Sequence, residues 1–280
     1  MKDCKVLTIQ DYSSFGQCSL SVALPIISAM GIETISLPIA LLSTHTSGFE
    51  GYTYVDLKDN VIPAVNHYKS LGLNFDYIYL GYLGASETVK AVNEVRKLYP
   101  DAQLIVDPAM AENGQFYDGI TEDFVESIAT LCKMSYIALP NLSEACLLSG
   151  VEYSRIQTKE SVLNICRHLA KTGIKRFVIT GIRMQDGMRL AYYDNDNVKF
   201  IDTQEVKGDF LGSGDVFASV LVGALANNLD LPQSLDLAIK YTQRTIEITS
   251  QDKEHWYGLK FEKTIPYLLT LLNQAKSLDK

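Results

Sequence analysis

This sequence predicts an α/β fold built on a mainly parallel central sheet with helices on both faces, and three observations lead there. Short apolar runs bounded by Gly, Pro or Asn alternate with longer stretches of helical periodicity along almost the whole chain. Strand–helix–strand alternation at this spacing buries its apolar surface in a parallel sheet covered by helices. With 47% apolar and 21% charged residues over 280 positions, the chain also has the material for a full core. No internal repeat, low-complexity linker or shift of composition interrupts it, so residues 1–280 read as one domain.

The strands are expected at residues 5–10 (KVLTIQ), 34–37, 77–80, 104–107, 136–139 and 177–180, each short and several rich in Ile and Val. Helices are expected at 18–30, 57–71, 86–98, 121–132, 158–172, 214–228, 233–249 and 262–276. Residues 190–194 and 198–202, separated by Asn195-Asp196-Asn197, read as a hairpin inserted before the last helices. Ligands of such sheets bind at the carboxyl ends of the strands. The polar residues to inspect are therefore Gln10-Asp11, Gly81-Tyr82, Asp107-Pro108, Pro140-Asn141 and Thr180-Gly181. Each of these pairs also fits a plain turn or helix cap.

Several function classes are excluded or disfavoured. The 25 basic and 33 acidic side chains give a net charge of −8 with no Lys/Arg block, which argues against a nucleic-acid binder. Residues 12–32 carry no charge, yet five serines, Gln17, Pro25 and two glycines make them too polar to span a membrane. Residues 1–10 alternate charged and apolar groups and lack the apolar core of a signal peptide, so a cytoplasmic protein is expected. Cys4, Cys18, Cys132, Cys146 and Cys166 are scattered, which suits reduced thiols better than a disulfide frame or a zinc site. P-loop, dinucleotide-binding, zincin and nucleophile-elbow motifs are absent, and His45, His67, His168 and His255 have no ligand-like spacing. Asp194-Asn195-Asp196 lacks the Gly and the terminal Glu of a calcium loop.

Chemistry concentrates in Gly208-Asp209-Phe210-Leu211-Gly212-Ser213-Gly214-Asp215, which runs directly into an apolar helix. Glycines let backbone approach a ligand closely, and the amides of a first helical turn point outward at the positive end of the helix dipole. That suits an anion such as a phosphoryl group in transfer, with Asp215 placed to accept the proton of an attacking hydroxyl. A simple N-cap at Ser213 explains the same residues without any ligand.

The Gly-Ser-Gly-Asp block near the C-terminus of an α/β chain resembles the anion-hole and base signature of the ribokinase superfamily, and within it the chain resembles the pyridoxal kinase branch over about residues 5–250. Ile9-Gln10 with Gly16, Leu42-Ser43-Thr44-His45-Thr46, Gly81-Tyr82, Val106-Asp107-Pro108, Pro140-Asn141-Leu142-Ser143-Glu144 and Val178-Ile179-Thr180 follow that branch's motifs in order. The resemblance implies a ribokinase-like three-layer α/β/α fold, ATP and Mg²⁺ as cofactors, compatibility with a monovalent cation such as K⁺, a small-molecule substrate and a homodimer. It makes Asp215 the base and the amides of Gly212, Ser213 and Gly214 the phosphoryl cradle. Asp11, Thr46 and Tyr82 would bind the substrate, and Asn141, Glu144, Thr180 and Tyr117 the nucleotide. Asp107, Glu112 and Glu144 would organise the metal, largely through water.

The implied activity is ATP-dependent phosphorylation of the 5′-hydroxymethyl group of a vitamin B6 vitamer. Departures from the branch pattern are Asp11 where Ser is common, Leu139 where Thr precedes Pro-Asn, and Ser213 for Thr. Asp11 favours the alternative of a hydroxymethylpyrimidine kinase, whereas Gly-Ser-Gly-Asp, rather than the Gly-Cys of that sister branch, disfavours it. A sugar or nucleoside kinase is disfavoured because the N-terminal strand and loop lack polar clusters for several hydroxyls, and a non-catalytic B6-binding protein is disfavoured by the intact Asp215 and its glycines.

Overall fold

The computed structural model describes residues 4–278. In chain order the elements are β1 (Lys5–Phe15), α1 (Leu20–Ala29), β2 (Glu33–Thr44), β3 (Tyr54–Asp56), α2 (Val61–Ser70), β4 (Tyr77–Leu80), α3 (Ser86–Leu98) and β5 (Gln103–Val106). There follow β6 (Ala111–Glu112), β7 (Gln115–Phe116), α4 (Glu122–Met134), β8 (Ile137–Ala138), α5 (Leu142–Ser149) and α6 (Lys159–Lys171). The chain ends with β9 (Arg176–Met184), β10 (Gly187–Asp194), β11 (Asn197–Thr203), α7 (Ser213–Ala226), α8 (Leu231–Thr249) and α9 (Ile265–Leu278). Among the described residues the fold is mixed α/β with a large, mostly parallel central sheet, as the alternation predicts.

Two compact units divide the chain: one runs to Tyr79, takes in Tyr99–Ala102 and resumes at Val206, and the other holds Leu80–Leu98 and Gln103–Glu205. In the first unit the strand order is β4-β1-β2-β3. β1 and β2 pair in parallel from Lys5↔Glu33 to Phe15↔Thr44, and β3 adds antiparallel to β2. From Val6 to Gln10 β1 is buried throughout, with Val6, Leu7 and Ile9 at 0% exposure. Its second half alternates instead: Asp11 and Ser13 are buried while Tyr12 and Ser14 are exposed. The polar run that ends the predicted strand at Gln10 is thus strand with one wet face, a period-2 pattern. β2 likewise continues past the predicted stop at Leu37. Pro38 lacks a donor, but it sits beside a register shift opposite residues 10–12, where a missing ladder bond costs least.

α7 is apolar all round, with every residue from Val216 to Ala226 buried. It lies close enough to α1 that a Cβ at Gly223 would come within 2.3 Å of Met30 Sδ. Asn227 Nδ2 also donates to Met30 O at 3.1 Å.

In the second unit the order is β11-β10-β9-β8-β5, with β5, β8 and β9 parallel and β9–β10–β11 an antiparallel meander. The β10–β11 turn is two residues, Asn195-Asp196, because Asn197 already pairs with Asp194. Both turn residues have positive φ (48° and 62°), the geometry that matches the strand twist. This shortens the predicted three-residue turn. α5 has no counterpart in the predicted helices, since eight residues are too few to display a helical period.

Candidate active site

In the first unit the continuation of β1 carries Asp11 inward, on the strand itself rather than in the loop expected to follow it. Asp11 is 5% exposed and its carboxylate accepts from Ser13 Oγ at 3.2 Å. Burial pushes its pKa above the ordinary carboxylate range, and hydrogen bonds from Ser19 and Ser13 offset part of that rise. Thr46 follows β2 with an exposed side chain, whereas its neighbour His45 is buried. His45 Nε2 lies 3.1 Å from Tyr257 O, and because a carbonyl only accepts, that nitrogen carries the proton. Burial lowers the ring's pKa, so the imidazole is neutral near pH 7.

Gly212 is the N-cap of α7, in the left-handed region at φ 75°, and Ser213 is the first helical residue, which corrects the expected cap at Ser213. The Ser213 amide donates to Phe210 O at 3.3 Å and is spent on the turn. The first intrahelical bond is Val216 N–H to Gly212 O at 3.0 Å, so the amides of Gly214 and Asp215 precede it at the positive end of the helix. Burial raises the Cys18 thiol pKa most, and the charges of Asp11 and then Asp215 raise it further.

In the second unit the strand ends converge on Glu144. Asp107 N–H donates to Leu80 O (2.9 Å) and Asp107 Oδ1 accepts from Ala109 N–H (3.2 Å), closing the turn after β5. Asn141 and Glu144 form the capping box of α5: Asn141 Oδ1 accepts Glu144 N–H at 3.0 Å and Glu144 Oε2 accepts Asn141 N–H at 2.8 Å. Glu144 Oε1 also takes Met110 N–H at 2.9 Å, and Asn141 Nδ2 donates to Ala111 O at 2.7 Å, so one cap anchors the β6–β7 hairpin as well. Thr180 N–H donates to Pro140 O at 3.0 Å and Thr180 pairs with Asn141 just past β8; β9 runs on to Met184, so Thr180 lies within the strand rather than at its expected end. Tyr117 N–H returns to Met110 O at 3.0 Å, and Glu112 is exposed on β6. Tyr82 is half-buried after β4, its ring against Gly84.

Asp107 and Glu144 are both held above the ordinary carboxylate range, first by burial. The charge of Glu144 then raises Asp107, and that of Glu112 adds to both. Among the described residues no three His, Cys, Asp or Glu side chains are grouped to chelate an ion directly. Crowded carboxylates whose oxygens are partly spent on backbone amides suit an ion that keeps its waters, which is the habit of Mg²⁺.

The family model described as phosphomethylpyrimidine kinase matches residues 23–259. The chain belongs to the phosphomethylpyrimidine kinase family. Within that family it is similar to a pyridoxine/pyridoxal/pyridoxamine kinase of Bordetella avium, 25% identical over 266 residues, spanning 87% of this chain and 85% of that protein. The structure of pyridoxal kinase from Lactobacillus plantarum is 28% identical, with a TM-score of 0.88 over 97% of this chain and 98% of its own. A Bacteroides thetaiotaomicron structure solved with pyridoxal, and provisionally assigned as a phosphomethylpyrimidine kinase, is 29% identical with a TM-score of 0.89, covering 95% of this chain and 96% of that one. Together these relatives place this family member in the pyridoxal kinase branch of the ribokinase superfamily.

Ser13 and Ser19 have no place in the sequence motifs, Cys18 counts there only as a scattered thiol, and His45 only as a member of the Leu42–Thr46 motif. The buried/exposed alternation from Asp11 to Ser14 carries the signal for Ser13, but nothing local marks the contact of His45 with its distant partner Tyr257.

The Asp107–Glu144 pair gives this family member a signed pH dependence. Carboxyls held above their unfolded values bind protons on folding, so the stability they contribute is full below the unfolded pKa and is lost as pH rises through the folded ones. The metal-free protein should therefore melt lower at about pH 8 than at about pH 5. Asp107→Asn should remove much of that decline, worth about 3 °C or more by calorimetry. An equal decline in the variant would assign the pH dependence elsewhere.

Proposed function

We propose that this protein transfers the γ-phosphoryl group of ATP to the 5′-hydroxymethyl group of a vitamin B6 vitamer, producing the 5′-phosphate and ADP. The observation that carries the reading is the start of α7: a left-handed Gly212 turn, amides of Gly214 and Asp215 ahead of the first helical bond, and the Asp215 carboxylate in the first turn. The kinases it resembles act on pyridoxal, pyridoxine and pyridoxamine by name, which supports the substrate class.

In the proposed reaction Asp215 accepts the hydroxyl proton as the substrate oxygen bonds to the γ-phosphorus and the bond to the ADP oxygen breaks. The transition state is loose, so alignment and charge neutralisation matter more than a strong base. The amides of Gly212 and Gly214 would receive the transferring group. Asn141, Glu144, Thr180 and Tyr117 are the proposed nucleotide groups. Asp107 and Glu112, with Glu144 acting through water, would hold Mg²⁺, which supplies charge neutralisation of the phosphates. Tyr82 and Thr46 are proposed on the substrate side.

Asp11 is the proposed selector among substrates. A carboxylate there favours a protonated ring nitrogen, an aminopyrimidine or the ammonium of pyridoxamine. The test is ADP release from ATP with pyridoxal, pyridoxamine, pyridoxine and hydroxymethylpyrimidine in parallel, with and without Mg²⁺. B6 vitamers should turn over and the pyrimidine should lag, and Asp11→Ser should lower kcat/KM for pyridoxamine about tenfold more than for pyridoxal. Preference for the pyrimidine would move the chain to the thiamine side of its family. Vitamer binding without ADP release would leave a binding protein.

The same reading includes a homodimer in the cytoplasm. The cross-strand row Tyr12–Leu41–Val55, all exposed, supports the dimer, and sedimentation of the assayed protein as a monomer would remove it. Among the described residues no helix is long and apolar enough to cross a membrane. One folding domain is also proposed. The unit holding both ends of the chain is completed only after the other has been made, so a single thermal transition is expected and two would refute it.

A further inference from the structure

The loop that starts α7 is braced from outside itself. Gln17, in the turn between β1 and α1, presents its backbone oxygen so closely that a Cβ at Gly212 would lie 2.1 Å from it. Gln17 is in turn held by residues far along the chain. Its N–H donates to Tyr257 O at 3.1 Å, and it forms a bridge with Gly258. Gly258, at φ 145°, comes so near that a Cβ there would sit 2.7 Å from Gln17 N. Tyr257 O takes a second donor, His45 Nε2 at 3.1 Å, so one carbonyl spends both lone pairs on two different loops. Gly16, at φ 91°, permits this, because a Cβ there would lie 2.3 Å from the His45 ring.

The segment is itself well fastened. The Tyr257 ring packs between Phe15 at 4.7 Å and His255 at 4.2 Å, Lys260 N–H donates to Thr249 Oγ1 at 2.9 Å, and Tyr241 OH donates to Phe261 O at 3.0 Å. Three positions that admit no side chain, Gly16, Gly212 and Gly258, thus surround one short turn in the first unit. A helix capped by glycine has no side chain of its own to fix the aim of its first amides. The peptide pressed against Gly212 does so instead.

We infer that residues 255–258 are a positioning strap, which sets the Gly212 cradle through Gln17 and the stretch after β2 through His45. The inference rests on the kinase reading above. It acts where misplacement is costly, because preorganised donors lose one to two orders of magnitude in rate when they shift by about 1 Å.

Gly258→Ala in the full chain tests it. The expected result is a kcat lowered roughly 10- to 100-fold with KM for ATP within about twofold. Binding of ADP with aluminium fluoride and pyridoxal, which mimics the planar phosphoryl group, should weaken in parallel while binding of ADP alone is unchanged. A merely structural role would lower the melting temperature without separating those two affinities. Should Gly258→Ala not fold, His45→Leu and His45→Gln replace it: Leu should lower kcat, and Gln, whose amide N–H takes the place of Nε2–H, should restore most of it. Unchanged kcat in a folded Gly258→Ala protein, or equal kcat in the two His45 variants, overturns the strap while wild-type turnover keeps the kinase. Absence of wild-type ADP release overturns both.

Discussion

Asp215→Asn should lower kcat by about three orders of magnitude, the range general-base removal commonly costs, while KM for ATP changes less than about twofold. The substitution keeps shape and the third helical position but removes the proton acceptor. Stability should fall by no more than about 1 kcal/mol, the value of one carboxylate at a helix N-terminus. The residues that follow position 215 in α7 are buried by apolar contacts, and Ser219 Oγ donates to the Asp215 carbonyl at 2.6 Å, neither of which the substitution alters. The proposed partner of the Asp215 carboxylate is the substrate hydroxyl and not the nucleotide, so ATP affinity has no direct reason to move. Steady-state kinetics with a folded variant decide it. Turnover within about tenfold of wild type would take the base role from Asp215 and leave it as a charge at the helix start.

How far the molecule could be read in advance depended on which residues were asked to speak. The strands of the core were legible because continuous burial selects Val, Leu and Ile, and Val6, Leu7, Ile105, Ile137 and Ile179 are all fully covered. The extension of β1 was not, since one wet face lets Tyr12 and Ser14 break the apolar run while Asp11 and Ser13 stay inside. That single misjudged end moved Asp11 from a loop to a strand. Asn141 and Glu144 stand out only through the resemblance of Pro140–Glu144 to a family motif, the helix they cap is too short to show a period, and both Glu144 oxygens are engaged by backbone amides. His45 and Tyr257 are 212 positions apart, a separation at which local pattern carries no information about contact. The glycines of the α7 loop were legible as a pair but not as individuals. Gly212 and Gly214 look equivalent in sequence and differ in backbone conformation and in what comes against them.

That difference makes Gly212→Ala the second large effect. At φ 75° a non-glycine residue costs about 1 kcal/mol or more in backbone strain alone. The added Cβ would also meet Gln17 O at 2.1 Å, and the obstacle is main chain, which cannot swing away like the end of a flexible side chain. Either the Gln17 turn retreats or the start of α7 rotates, and both outcomes move the amides of Gly212 and Gly214 from their aim. A rate loss on the order of 100-fold is expected, together with a lowered melting temperature. Gly214→Ala separates the two causes. Gly214 has nothing within 4 Å of its added Cβ and no left-handed backbone, so its variant should melt like the wild type. Any turnover it loses then reports crowding of the bound phosphoryl group rather than backbone strain. If Gly212→Ala kept both its melting temperature and its turnover, the close approach of Gln17 would be irrelevant to the cradle, and the brace argued from that approach would lose its first link.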